Sequence, residues 1–335
     1  MMARVRRVAR LLMIAGLVVG QAAPAFAYLK FGLEIDGRQV VLRWTHPPTW
    51  FVTDTGVPGV TATQFQAALS TAFVTWTTVP TASIDYQFGG FTASLPGEDD
   101  GRSTLGFRNE PSLEHVLAQT TFVVDGVTGE LLESDIMFNS AFPWSVAASG
   151  ESGRFDVGSI AAHEIGHFSG LGHSAIGESE GTGDSRRATS LGSIMFPIAL
   201  GAGDTFSRML RPDDIAGISD LYPDNGFNET TGSVSGYVTK NGAGVYGAHV
   251  VAFDPSSGEQ VASFTLRGDG FFSIAGLRPG PHVLRVEPLD DVDPAGFFDP
   301  TQPIDLNFRV TYSERLVVVP AGGDSGAAQI PVNPK

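Results

Sequence analysis

The sequence contains no cysteine. That excludes disulfides, thiolate catalysis, cysteine-ligated zinc and any latency device built on a thiol. A metal in this chain has to be held by histidine, carboxylate or backbone oxygen. Basic charge is also scarce: 21 Lys and Arg stand against 36 Asp and Glu, a formal net charge of −15. Bulk attraction to nucleic acid needs a basic face, so nucleic acid is excluded as a partner on that ground. Beyond the N-terminus no apolar run approaches the ~18–20 residues of a membrane-spanning helix. Abundant instead are glycine, with 41 residues, and proline, with 21, a composition suited to β-rich, loop-rich architecture. At 42% hydrophobic residues, a chain of 335 can bury real cores, and ~150 residues per domain suggests two.

Residues 1–27 read as a secretory signal. Arg4, Arg6, Arg7 and Arg10 make a basic start, Leu11 to Val19 a short apolar stretch, and Ala25-Phe26-Ala27 a small-residue cleavage site. The expected mature protein starts at Tyr28, is secreted and has no membrane span. Loss of those four arginines takes the formal charge from −15 to −19.

Hydrophobic spacing predicts a helix over Thr61–Val79, with Phe65, Ala68, Leu69, Ala72, Phe73 and Trp76 on one face. Strands are expected at Val40–Trp44, Ser83–Phe88, Thr104–Arg108, Ala118–Val124 and Asp135–Phe138. A second helix is expected from Asp156 to Ser169, and a third opens at Pro212-Asp213-Asp214 and stops at Pro223. Gly177–Ser190, rich in Gly, Ser and charge, reads as an exposed loop. Residues 225–232 read as a polar linker. Short β runs follow at Val234–Thr239, Ala248–Phe253, Val261–Leu266, Phe271–Ile274 and His282–Val286, the spacing of a β-sandwich. The expected organisation is an α+β domain over 28–224 and an all-β domain over 233–335. Asp290–Lys335 either extends that sandwich or packs apart from it.

One motif dominates the chemistry: His163-Glu164-Ile165-Gly166-His167-Phe168-Ser169-Gly170-Leu171-Gly172-His173, or H-E-x-x-H-x-x-G-x-x-H. On a helix, His163 and His167 lie one turn apart on one face and can share a Zn²⁺. Gly170 suits a sharp helix end, after which the chain can reverse and present His173. Three protein ligands leave an open position, the layout of a catalytic zinc site. Glu164 can reach a water there as general base without ligating. His249 and His282 are too isolated to be ligands.

These residues resemble the metzincin signature of zinc endopeptidases, and Leu171-Gly172-His173-Ser174 is similar to the matrixin, or matrix metalloproteinase, branch. Ser193-Ile194-Met195-Phe196-Pro197 looks like the Met-turn, which implies that Met195 lies beneath the ligands. Leu210–Tyr222 is similar to the last helix of matrixin catalytic domains. The resemblance covers about Tyr28–Pro223 and implies a twisted mixed sheet with three helices. It also implies that an extended peptide adds as a strand along Ala118, Thr120 and Phe122. The pocket for the residue after the scissile bond would lie between the zinc helix and the segment after Met195. No cysteine switch is present, and the His-x-Asp pattern of a second, structural zinc is missing. Ca²⁺ is a further candidate ion, with Glu98-Asp99-Asp100, Asp125 and Glu178–Asp184 as candidate loops. Residues 233–288 look like the carboxypeptidase regulatory-like, transthyretin-like sandwich, for which a spacer role or a surface or glycan contact is expected. The expected function is a secreted zinc endopeptidase acting on extracellular proteins; the alternative is a non-catalytic binding or adhesion protein that keeps the zinc fold. Every candidate catalytic residue precedes Asp224, so a chain ending there is expected to keep cleaving peptides.

Overall fold

In the computed structural model, which describes residues 13–14, 30–35, 38–181, 186–289, 297–298 and 303–335, Thr61 starts the first helix, α1 (Ala62–Thr77). Its hydroxyl accepts the Gln64 N–H at 3.2 Å, and the Gln64 side chain accepts the Thr61 N–H at 2.9 Å. This reciprocal cap satisfies donors that a helix start otherwise leaves bare. Phe65, Leu69, Ala72, Phe73 and Trp76 form the buried stripe. They pack into the core shared with a five-strand sheet made of β1 (Thr49–Thr53), β2 (Gln87–Thr92), β3 (Ser103–Arg108), β4 (Ala118–Val124) and β5 (Leu131–Asn139). The order is β4-β5-β3-β1-β2, parallel throughout except for β4. On the outer edge of β4 the two-residue strand Met13–Ile14 pairs antiparallel with Phe122 and Thr121. The rest of the expected signal lies outside the described residues.

Helix α2 (Val157–Phe168) packs against α1, and the Trp76 indole donates to the Ala162 carbonyl at 2.9 Å. Asp156 caps α2, accepting the Ser159 N–H at 2.7 Å. Arg208 holds the same carboxylate. Helix α3 (Pro212–Leu221) ends at Tyr222, whose hydroxyl donates to the Ser169 carbonyl at 2.6 Å. Among the described residues no helix is long and apolar enough to cross a membrane.

Several expectations shift. β1 follows Pro47-Pro48 and was not expected, yet it lies between β3 and β2. The strand expected at Val40–Trp44 is instead the second arm of a hairpin, Gly32–Ile35 with Arg38–Val41. The expected loop Gly177–Ser190 contains an antiparallel pair, Gly177–Gly181 with Arg186–Leu191. It is mostly exposed, so it shows no apolar alternation to read; backbone pairing and the Glu180–Arg187 ion pair hold it. Asp184 lies outside the described residues. The expected linker contains a short helix, α4 (Phe227–Thr230), that buries Phe227.

Beyond it stand two sheets. β6 (Gly232–Lys240) pairs with β9 (Phe271–Leu277) and, in parallel, with β11 (Asp324–Val332). β7 (His249–Phe253) lies between β8 (Gln260–Phe264) and β10 (Gly280–Glu287). Thr311–Tyr312 and Val317–Val319 add to β10, so the described part of 290–335 completes both sheets. Val234, Val238, Phe272 and Ile274 share a core with Val250, Ala252, Leu284 and Val286. The other face of β7 and β8 is also covered: Val251 and Ala262 pack on Ile176. α3 packs against β8 and β9. Packing therefore runs without a break from the α+β region into these sheets. A chain ending near Asp224 would lack the apolar cover that Val251, Ala262 and Phe264 give to Ile176, Ala175 and Phe196.

Candidate metal centre

α2, which packs against β4 and β5, carries His163, Glu164 and His167. Gly170 closes the helix at φ 104°, a left-handed conformation that costs a non-glycine residue. Its N–H donates to the His167 carbonyl at 2.7 Å, and Leu171 N–H donates to the Gly166 carbonyl at 3.0 Å. The reversal returns His173 to the pair. One nitrogen from each of the three histidines lies within 4.8 Å of the others, and the His167 and His173 Nε2 atoms are 3.2 Å apart. Ligands at ~2.0–2.1 Å from a tetrahedral ion are separated by ~3.4 Å.

The donor set fits zinc on a second ground. His163 Nδ1 lies 2.6 Å from the Ile194 carbonyl and His167 Nδ1 lies 2.8 Å from the Leu171 carbonyl. A carbonyl can only accept, so Nδ1 carries the proton in each ring and Nε2 keeps its lone pair for a metal. Burial, with His173 adding to it, holds His163 down to about 3 and, with both other histidines, His167 well below its usual range. Neutral imidazoles are the ligating form.

Glu164 is buried, and burial pushes its carboxyl up to about 7 against the pull of one hydrogen bond. That bond comes from Thr120, whose hydroxyl donates to Oε2 at 2.6 Å. Oε1 carries no hydrogen bond among the described residues. Thr120 was expected to line the groove for an extended peptide; its side chain faces α2 and is fully buried. Phe122 likewise turns inward, packing edge-on to Phe31 at 5.2 Å, while Ala118 is half-buried. What β4 offers outward is its backbone edge, where Met13–Ile14 adds antiparallel.

Met195 lies under α2. A side chain at Gly166 would place its Cβ 2.3 Å from the Met195 sulfur, so only glycine lets the two meet. The turn itself hangs on Asp214 of α3, which accepts the Ile194 N–H at 3.0 Å, the Met195 N–H at 3.3 Å and the Ser193 hydroxyl. Asp213 and Asp214 read in the sequence as first-turn acids suited to the helix dipole. Both are buried at 2% exposure, and their carboxylates tie segments together instead of facing solvent.

The candidate calcium loops have structural work of their own. Asp135 accepts the Thr104 and Gly97 N–H groups, each at 2.6 Å, and Glu133 accepts the Gly101 N–H at 2.6 Å. These bonds organise the turn that carries Glu98, Asp99 and Asp100. Burial pushes Asp135 up to about 7. Asp125 accepts the Val127 and Thr128 N–H groups of its own turn.

A family profile described as Matrixin matches residues 43–223. Over 78 residues the chain is 38% identical to a protein named metalloendoproteinase 5-MMP, from Arabidopsis thaliana. That match spans 23% of this chain and 17% of the relative's length.

Proposed function

The chain belongs to the matrixin family, and from that premise we propose that it is a secreted zinc-dependent endopeptidase acting on extended segments of extracellular proteins. The observation that carries the reading is the convergence of three neutral histidine nitrogens beside a buried carboxylate. His163, His167 and His173 would hold the ion, and Met195, packed against Gly166, would brace the helix that carries two of them. Zinc, when bound there, would supply Lewis acidity that polarises an amide carbonyl and acidifies water.

The remaining steps belong to the chain. Thr120 anchors Glu164 through Oε2, so Oε1 is the atom that takes a proton from the attacking water. The same carboxyl then delivers that proton to the leaving amine. A buried carboxyl beside the metal ligands is placed for both transfers. The outer backbone edge of β4 aligns the substrate by strand addition once Met13–Ile14 has left it, with its inward side chains fixing the strand and not touching the peptide. The antiparallel seat of Met13–Ile14 on that edge supports this placement. Residues 1–27 serve as the export signal, whose removal clears the edge. The sheets after Gly232 form a carboxypeptidase regulatory-like sandwich.

Peptide-library digestion by the mature protein, with and without a chelator, tests the reading beside Glu164→Ala. The variant should retain zinc and lose cleavage by ~10² or more. Retained cleavage in the variant or in chelator would overturn the assignment.

A further inference from the structure

Two of the three histidines share a helix and the third does not. His163 and His167 sit on one helix, and each ring is oriented by a nearby carbonyl. His173 lies beyond Gly170 on the non-helical segment 171–176, and the far side of that segment faces the C-terminal sheets. Three contacts cross there. The Phe297 ring stands edge-on to His173 with centroids 6.0 Å apart. It is 6% exposed and belongs to a cluster with Phe264, Phe298, Ala175 and Phe196. Ile176 packs on Val251 and Ala262. Asp213 accepts the Ala262 N–H at 2.9 Å and is also bonded to the Ser174 hydroxyl.

Each contact acts next to the ligand. Ser174 follows His173 in sequence, and its N–H donates to the Met195 carbonyl at 2.9 Å. The segment bearing the third ligand is thus bracketed by the Met195 turn on one side and by β8 on the other. A carboxylate buried as deeply as Asp213 is costly unless donors reach it. One of its donors is main chain of an edge strand in the C-terminal sheets. The aromatic cluster supplies a complementary apolar wall, which reaches the His173 ring through Phe297.

We propose that Phe297 and Asp213 are positioning residues for His173, so that the C-terminal sheets are a working part of the metal centre and not a spacer. The inference rests on reading the three histidines as a metal site. Outer partners of a ligand typically set metal affinity by ~10–100-fold, and here those partners come from sequence far beyond the motif.

The test uses the full-length protein. Phe297→Ala, Phe297→Leu and Asp213→Ala are compared with wild type by hydrogen exchange of the metal-free form and by the rate of zinc release to a chelator. Phe297→Ala and Asp213→Ala should raise exchange over 171–176 while α2 stays protected, and should release zinc about tenfold faster. Phe297→Leu, which keeps apolar volume, should recover most of the difference. Unchanged release and exchange in both disruptive variants would overturn the proposal, as would loosening spread equally over α2. If wild-type protein takes up no zinc, the metal reading falls, and the exchange measurement still decides whether the sheets hold His173.

Discussion

His167 and His173 converge on one point by different routes. His167 is placed by helix spacing and by a carbonyl four residues on, all inside one short stretch of chain. His173 is placed by a turn whose supports come from Met195, Asp213 and Phe297. Local geometry is cheap to encode, because 3.6-residue periodicity follows from the backbone alone. Placement by distant contacts needs a folded scaffold on both sides. Chemistry can therefore be legible in a motif while the parts that steady it are not.

The largest effects test the two ligands directly. His167→Ala and His173→Ala should each abolish stoichiometric zinc binding, measured by elemental analysis. They should part in metal-free stability. His167 is 1% exposed and its loss leaves the Leu171 carbonyl unpaired in the core, so its variant should melt clearly lower. His173 is only half-buried, and its variant should melt near wild type. Equal melting losses would break the comparison. Ending the chain at Asp224 comes next. Ile176, Phe196 and Ala175 would lose their apolar cover and Asp213 would lose a donor. That shorter chain should melt well below the full one and cleave peptides poorly. Full-rate cleavage by it would show that the His173 side needs no outside support.

The helices and the motif were readable because their signals are local. The helices expected from Thr61 and from Asp156 begin at those residues, each of which caps its helix, and β4 has the bounds expected for it. β1 was hidden by Pro47-Pro48 and by a run too short to show a period. The hairpin after Ile176 was hidden because its pairing is almost wholly backbone. In the C-terminal sheets one run carries a signal of its own. His249-Val250-Val251-Ala252 has no polar alternation, the pattern of a strand covered on both faces. An isolated sandwich would show one wet face there, so the run itself points to a partner layer. Phe297 carried no such signal; its place beside His173 follows from tertiary folding alone.

A smaller effect separates orientation from ligation on the α2 side. Thr120→Val keeps the volume and removes the hydroxyl that holds Glu164 Oε2. Zinc content should be unchanged, and kcat should fall by about tenfold, the scale of a misaligned base, with KM little altered. A loss confined to KM would mean that Thr120 meets substrate after all.

The smallest effect is a pH dependence on the His173 side. Burial, reinforced by Asp214, pushes the Asp213 carboxyl up to about 7, while the Ser174 hydroxyl and the Ala262 N–H pull it back. Its value in the unfolded chain is ~3.9. A carboxyl raised in the folded state contributes stability that is full below ~4 and is lost as pH climbs through about 7. Asp213→Asn keeps an oxygen for the Ala262 N–H and removes the ionisation. Other groups run the opposite way: His163 and His167 are depressed in the folded state, so they cost stability as pH falls. A single melting curve cannot separate the two, but the difference between variant and wild type can, because the histidines are common to both. Measured on metal-free full-length protein, that difference should move in favour of Asn from pH 5 to pH 8, by a few degrees on the ~2–4 °C per kcal/mol scale of a chain this large. A difference that stays constant across that window would mean that Asp213 keeps its ordinary carboxylate range in the folded chain.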